Sequence, residues 1–137
     1  MFPLNKPGVL LLERSIDASA TRQKVVANNI ANVDTPNFKR SEVAFEELLE
    51  QQLNTSGKQL TGVRTDPRHF YIGAKPLSAI TPELRTDNTT AMNNNKNNVD
   101  IDYEMSLMAK NQLRYNTLVQ QLNHEFQSVR TVIEGRR

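Results

Sequence analysis

Residues 101–133, IDYEMSLMAKNQLRYNTLVQQLNHEFQSVRTVI, decide how this chain folds. Ile101, Met105, Met108, Gln112, Tyr115, Val119, Leu122, Phe126, Val129 and Ile133 follow one another at alternating steps of four and three, and nine of these ten side chains are apolar. That is a heptad seam on a helix, about 50 Å long at 1.5 Å per residue. Asp100 stands where an N-cap belongs, Asp102 and Glu104 fall in the first turn where the helix dipole favours carboxylates, and Gly135 suits the other end. Leu107, Leu118 and Val132 add apolar surface beside the seam, more than one partner helix covers, so this helix is expected to meet at least two neighbours.

The other end of the chain carries a matching ladder. Val9, Leu12, Ile16, Ser19, Gln23, Val26, Ile30 and Val33 repeat the spacing, with six of eight apolar, and Asp34-Thr35-Pro36 ends it because proline disfavours helix at the residue before it. The expectation is a helix of roughly 25 residues. Antiparallel packing of the two with Val33 beside Ile101 would bring Gln23 and Gln112, the polar residues of each seam, to one level where they can hydrogen-bond and fix register.

Between them, Glu42 to Leu53 reads as a short third helix, with Ser41 as its cap and Phe45, Leu48, Leu49 and Leu53 on one face. Residues 55–82 hold five Gly and Pro breakers from Gly57 to Pro76, then Pro82, around pieces such as Phe70-Tyr71-Ile72, which reads as loop with room for one β-hairpin. Arg85 to Asn98 is polar, aperiodic and Asn-rich, and reads as a flexible linker. The sequence thus divides into residues 1–40 (helix and Asn-rich turn), 41–98 (short helix, loop region and linker) and 99–137 (C-terminal helix), a mainly α chain whose terminal helices form a coiled-coil-like hairpin.

Composition narrows the function. Of 137 residues only 37% are hydrophobic and 6% aromatic, Trp is absent and the mean hydropathy is -0.59, so one copy alone has little with which to build a core. Seventeen basic and fifteen acidic residues leave a net charge of +2, too balanced for a nucleic-acid or anionic-membrane binder. Cysteine is absent, which excludes disulfides and thiolate chemistry. His69 and His124 fit no metal or triad spacing, Glu42, Glu46, Glu47 and Glu50 read as the wet face of the short helix, and no Gly-rich phosphate loop occurs, so no catalytic residue, cofactor, metal or small-molecule substrate is expected. The first residues show neither a basic leader nor a cleavage site, and no stretch approaches a membrane span.

One segment exceeds what a helix stop requires. In Ala27-Asn28-Asn29-Ile30-Ala31-Asn32-Val33-Asp34-Thr35-Pro36-Asn37-Phe38-Lys39, three asparagines crowd the last helical turns although Asn is a poor helix former. Asn32 and Asp34 serve the stop; Asn28 and Asn29 lie inside the helix and are available to other backbone. This segment resembles the signature of flagellar basal-body rod and hook-type axial proteins. Thr65-Asp66-Pro67-Arg68-His69, Asn98-Val99-Asp100-Ile101-Asp102 and Lys110-Asn111-Gln112-Leu113-Arg114-Tyr115 are similar in particular to the proximal-rod members of that family.

The resemblance implies a structural subunit whose terminal helices pack in a coiled-coil layer around an export channel, in the periplasm-spanning rod, reached by type III export without a cleavable signal peptide. It implies as partners other copies, other rod proteins and the membrane-ring or export-gate junction at the base. The interface residues it points to are Val9, Leu12, Ile16, Val26, Asn28, Asn29, Ile30, Asn32 and Pro36 with Ile101, Met105, Met108, Tyr115, Val119, Leu122, Phe126, Val129 and Ile133. Another rod or adapter subunit, or a soluble coiled-coil adapter, would share the two helices.

Overall fold

A computed structural model of the chain describes residues 7–56, 66, 80–90, 92 and 95–135. Helix α1 (Pro7–Ala31) opens on a proline, which needs no intrahelical donor at its first position. Strand β1 (Ser41–Ala44) and helix α2 (Glu46–Ser56) follow, then strand β2 (Glu83–Thr86) and helix α3 (Ile101–Glu134). The 34 residues of α3 span about 51 Å. Asp100 caps it as expected, its carboxylate accepting from the backbone amides of Asp102 and Tyr103. At the far end Gly135, at φ 64°, takes the left-handed conformation that closes a helix at least cost for glycine.

α1 and α3 pack along each other. Asn29 meets Glu104, whereas Gln23 and Ser19, earlier on α1, meet Gln112 and Asn111, later on α3, so the pair is antiparallel. The expected glutamine pair forms, Gln23 Nε2 donating to Gln112 Oε1 at 3.4 Å. A small apolar core lies at the side of this hairpin, where Ala18, Phe45 and Ile80 are buried and Leu48 and Leu49 pack against them.

Three expectations are corrected. The third helix begins at Glu46, not Glu42, because Ser41–Ala44 pairs antiparallel with Glu83–Thr86, Ser41 facing Thr86 and Ala44 facing Glu83. Ser41 is therefore a strand residue and no cap. Val43, Ala44 and Phe45 turn inward at the join, which helical continuation through them would not allow. Secondly, much of Arg85 to Asn98 is built rather than free. Arg85 and Thr86 lie in β2, Asp87 accepts from the amides and hydroxyls of Thr89 and Thr90, and Asn97 and Asn98 are buried. Thirdly, the first turns of the α3 seam are shifted by one residue from the expected ladder, which from Met108 onward is half-buried at Met108, Tyr115, Val119, Leu122 and Val129. Glu104 and Asn111 face α1, and this turns Ile101, Met105 and Gln112 to solvent. The expected hairpin around Phe70-Tyr71-Ile72, the Pro67-Arg68-His69 motif and residues 1–6 fall outside the described residues.

Candidate assembly site

The last turns of α1 are held by side-chain amides. Asn32 Nδ2 reaches back to the Asn28 carbonyl at 2.8 Å, and Asn32 Oδ1 accepts from the Thr35 hydroxyl at 3.2 Å. Asn97, with no exposed surface, then closes the turn from a distance of more than sixty residues in sequence. Its Nδ2 lies 2.9, 2.8 and 2.9 Å from the carbonyls of Asn32, Val33 and Thr35, and its Oδ1 accepts from the Val99 amide at 2.7 Å. One amide thus serves carbonyls that a helix end leaves without partners. Asn37, at φ 61°, reverses the chain, and its amide donates to the Asn95 carbonyl at 3.0 Å. Asparagine tolerates this conformation better than most residues.

Asn29 does something different. Only 1% exposed, it treats the backbone of Ser41 as a strand neighbour would: Nδ2 donates to the Ser41 carbonyl at 2.7 Å and Oδ1 accepts from the Ser41 amide at 3.1 Å. The same Nδ2 lies 3.1 Å from Glu104 Oε2. Glu104 is fully buried, and its other oxygen accepts from Arg40 Nε at 2.5 Å. The Arg40 guanidinium also lies 4.9 Å from the centre of the Tyr103 ring and 3.6 Å from Glu42. Burial acts to lower the pKa of Arg40, but the bond to Glu104 and that carboxylate's charge outweigh it and raise the pKa above its usual value. The Arg40 backbone amide donates to Asn98 Oδ1 at 2.6 Å, and its carbonyl accepts from Asp87 at 2.9 Å. Asn98 Nδ2 continues to the Asp87 carbonyl and the Thr90 hydroxyl. Lys39 adds a cation on the carbonyls of Thr90 and Lys96 at 2.7 and 2.9 Å. The end of α1, the lead into β1, the segment after β2 and the start of α3 meet in one polar junction.

A second clip lies further along. Glu46 at the start of α2 accepts from Arg22 on α1 at 2.6 Å and from Arg114 on α3. Its partial burial pushes the carboxyl upward, but the hydrogen bond from Arg22, its own backbone amide and the charges of Arg22 and Arg114 hold it below the ordinary carboxylate value. Asp87 is lowered by the hydroxyls of Thr90 and Thr89 and by the Thr89 amide.

Against this frame the expected interface residues divide. Val26 and Asn29 are buried; Val9, Leu12, Ile16, Ile30, Asn32, Met108, Tyr115, Val119, Leu122 and Val129 are half-buried along the hairpin. Asn28, Pro36, Ile101, Met105, Phe126 and Ile133 are exposed. Phe126, Val132 and Ile133, exposed by 46, 81 and 76%, lie on the last turns of α3, and Leu113 is 69% exposed. Glu104, Asn111, Arg40, Asn97 and Asn98 were not anticipated. The seven-residue interval from Glu104 to Asn111 would have placed both on one helix face, while nothing local marks Asn97. Among the described residues no group of acidic or histidine side chains is arranged to hold a metal ion, and no helix is long and apolar enough to cross a membrane.

Residues 16–39, which hold Asn28, Asn29 and Asn32, match the sequence pattern of the family described as "Flagella basal body rod protein". Over 124 residues the chain is 37% identical to the flagellar basal body rod protein FlgB of Bacillus subtilis, covering 90% of this chain and 91% of that protein. It is 40% identical to FlgB of Borreliella burgdorferi over 124 residues, 88% of this chain and 91% of that one. FlgB of Borrelia hermsii is 41% identical over 127 residues, 90% and 93% of the two chains. With the Asn-rich helix end matched by the family's pattern and about nine-tenths of the chain matched by relatives up to 41% identical, the chain belongs to the flagellar basal body rod protein family.

Proposed function

We propose that the chain is a structural subunit of the proximal rod of the bacterial flagellar basal body, which packs with its own copies and with other rod proteins through its two long helices. The family is structural, and we read this member as non-catalytic. The observation that carries the mechanism is an inversion on α3: its polar Glu104 and Asn111 are buried while its large apolar Met105, Leu113, Phe126, Val132 and Ile133 are exposed. A lone molecule gains little from such a helix, whereas neighbours that cover these side chains, which lie on several sides of it, gain the transfer free energy of each. Folding and assembly are therefore coupled.

On this reading the polar junction orients α1 against α3 before assembly, and the exposed apolar side chains of α3 are covered by neighbouring subunits. The outward part of the expected interface, Asn28, Pro36, Ile101, Met105, Phe126 and Ile133, makes the contacts between subunits; the half-buried part holds the hairpin. A chain with so small a core threads an export channel without first unfolding a stable globule, in keeping with export that uses no cleavable leader. Contact with the membrane-ring or export-gate junction at the base of a periplasmic rod belongs to the same proposal. An epitope-tagged copy of the chain tests it: the tag should co-purify with isolated basal bodies and remain after the outer hook is removed. Recovery of the tag only in the soluble fraction of flagellated cells would contradict the reading.

A further inference from the structure

Arg22, Glu46, Leu107, Lys110, Asn111 and Arg114 line a groove of about 250 Å³ between α1, α2 and α3. Three cations face one carboxylate there. Glu46 is shared by Arg22 and Arg114, which leaves Lys110 with no partner among the described residues. Asn111, 3% exposed, donates its amide to the Ser19 carbonyl at 2.9 Å, but its own carbonyl oxygen is buried without a hydrogen bond. A buried acceptor left unsatisfied is costly. The groove therefore lacks negative charge at its rim and a donor at its floor.

The same chain carries the complement of the rim. Glu13 and Asp17 of α1 are exposed, and at 100° per residue they share one stripe. Asp17 has only a loose contact with Arg14 at 4.0 Å. Arg22 lies roughly 180° round the helix from Glu13 and roughly 140° from Asp17. We propose that the groove receives the Glu13–Asp17 face of a second copy's α1, the two carboxylates, one helical turn apart, meeting Lys110 and Arg114, which are also one turn apart. The complementary surfaces occupy opposite faces of α1, so two copies cannot satisfy both at once. The contact is heterologous, leaves one groove and one stripe open at the ends, and propagates. Its charges are exposed, so it weakens as salt rises. This inference rests on the reading of the chain as a rod subunit and names one contact of that assembly.

The test is zero-length carbodiimide coupling, which joins a lysine to a carboxylate only in direct contact, applied to the purified chain and to isolated basal bodies. Dimer-sized products should contain Lys110 joined to Asp17 or Glu13, and high salt should suppress them in the purified chain. Lys110→Glu should remove them and reduce swimming. Adding Asp17→Lys in the same chain should restore both, with the carboxylate and the amine of the link exchanged between the two positions. Restoration also shows that the single variant folds. Dimers that lack this link in basal bodies, or a Lys110→Glu chain that cross-links and swims as the parent does, would overturn the groove contact and leave the rod reading intact. A chain missing from basal bodies would instead remove the rod reading itself.

Discussion

The two ends of α3 invert the ordinary rule of burial in different ways. At its start, Glu104 is fully enclosed and bonded to Asn29 and Arg40; at its finish, Val132 and Ile133 are 81 and 76% exposed. The first region places polar groups inside because each is satisfied by a partner whose position it then defines. The second places apolar groups outside because nothing among the described residues covers them. One end of the helix therefore stores geometry within the subunit, and the other stores the driving force for meeting another.

Breaking the first region gives the largest effect. Glu104→Ala strands the Arg40 guanidinium and half of the Asn29 amide, and should cost about 3 kcal/mol in urea unfolding, in the range for removing one partner of a buried pair. Glu104→Gln, which keeps shape and one acceptor, should cost less, and an equal loss in both would mean that the charge carries all of the effect. Asn97→Ala should cost about 2 kcal/mol by orphaning carbonyls at the end of α1. Asn97→Asp should be worse than Ala, since it sets a carboxylate oxygen against three carbonyls. An Asn97→Ala chain as stable as the parent would show that the amide donors are unimportant.

Acid separates the second clip from the junction. The carboxyl of Glu46 is held below its reference value of 4.5, so between the unfolded and folded values the native state binds fewer protons than the unfolded one. The stability it contributes is present above that reference value and is lost as pH falls through the lower folded value. Glu46→Gln should therefore flatten the acid limb of a stability-against-pH curve and change little within that limb's most acidic part. An unchanged slope would discount the clip.

Smaller again, replacing Gln23 and Gln112 together by Leu should stabilise the hairpin by about 0.5 kcal/mol, because the exposed 3.4 Å bond is weak, while loosening its register. Stabilisation with register and assembly intact would count against the pair as a register device. The smallest expected effect on the free chain comes from the second region: Val132→Ser should alter monomer stability by less than about 0.5 kcal/mol, as exposed substitutions do, yet impair rod assembly. Normal swimming would sink the role given to that surface.

The same contrast explains what the sequence disclosed. Periodicity and local capping were enough for both long helices and for Asp100, because these depend on neighbours one to seven residues away, and laying one ladder antiparallel on the other was enough for the level of the glutamine pair. Ser41–Ala44 was hidden because its strand partner lies some forty residues later, and its other support is the Asn29 side chain. The Asn-rich run read as a linker because its composition shows no periodicity, whereas its order comes from Asn97 and Asn98 bonding to backbone around the end of α1 and β2. The shift at the start of the α3 seam was hidden for a related reason: a heptad count favours Ile101 and Met105, while Glu104 and Asn111 face inward because distant donors and acceptors await them.

The most direct test of coupled folding and assembly is amide hydrogen exchange on the dilute purified chain compared with the same chain in isolated basal bodies. Amides around Asn29, Asn97 and the first turns of α3 should be the best protected in the free chain, the last turns of α3 weakly so, and both strongly protected in the rod. Full protection along α3 in the free chain, or exchange at its last turns unchanged by assembly, would contradict the account.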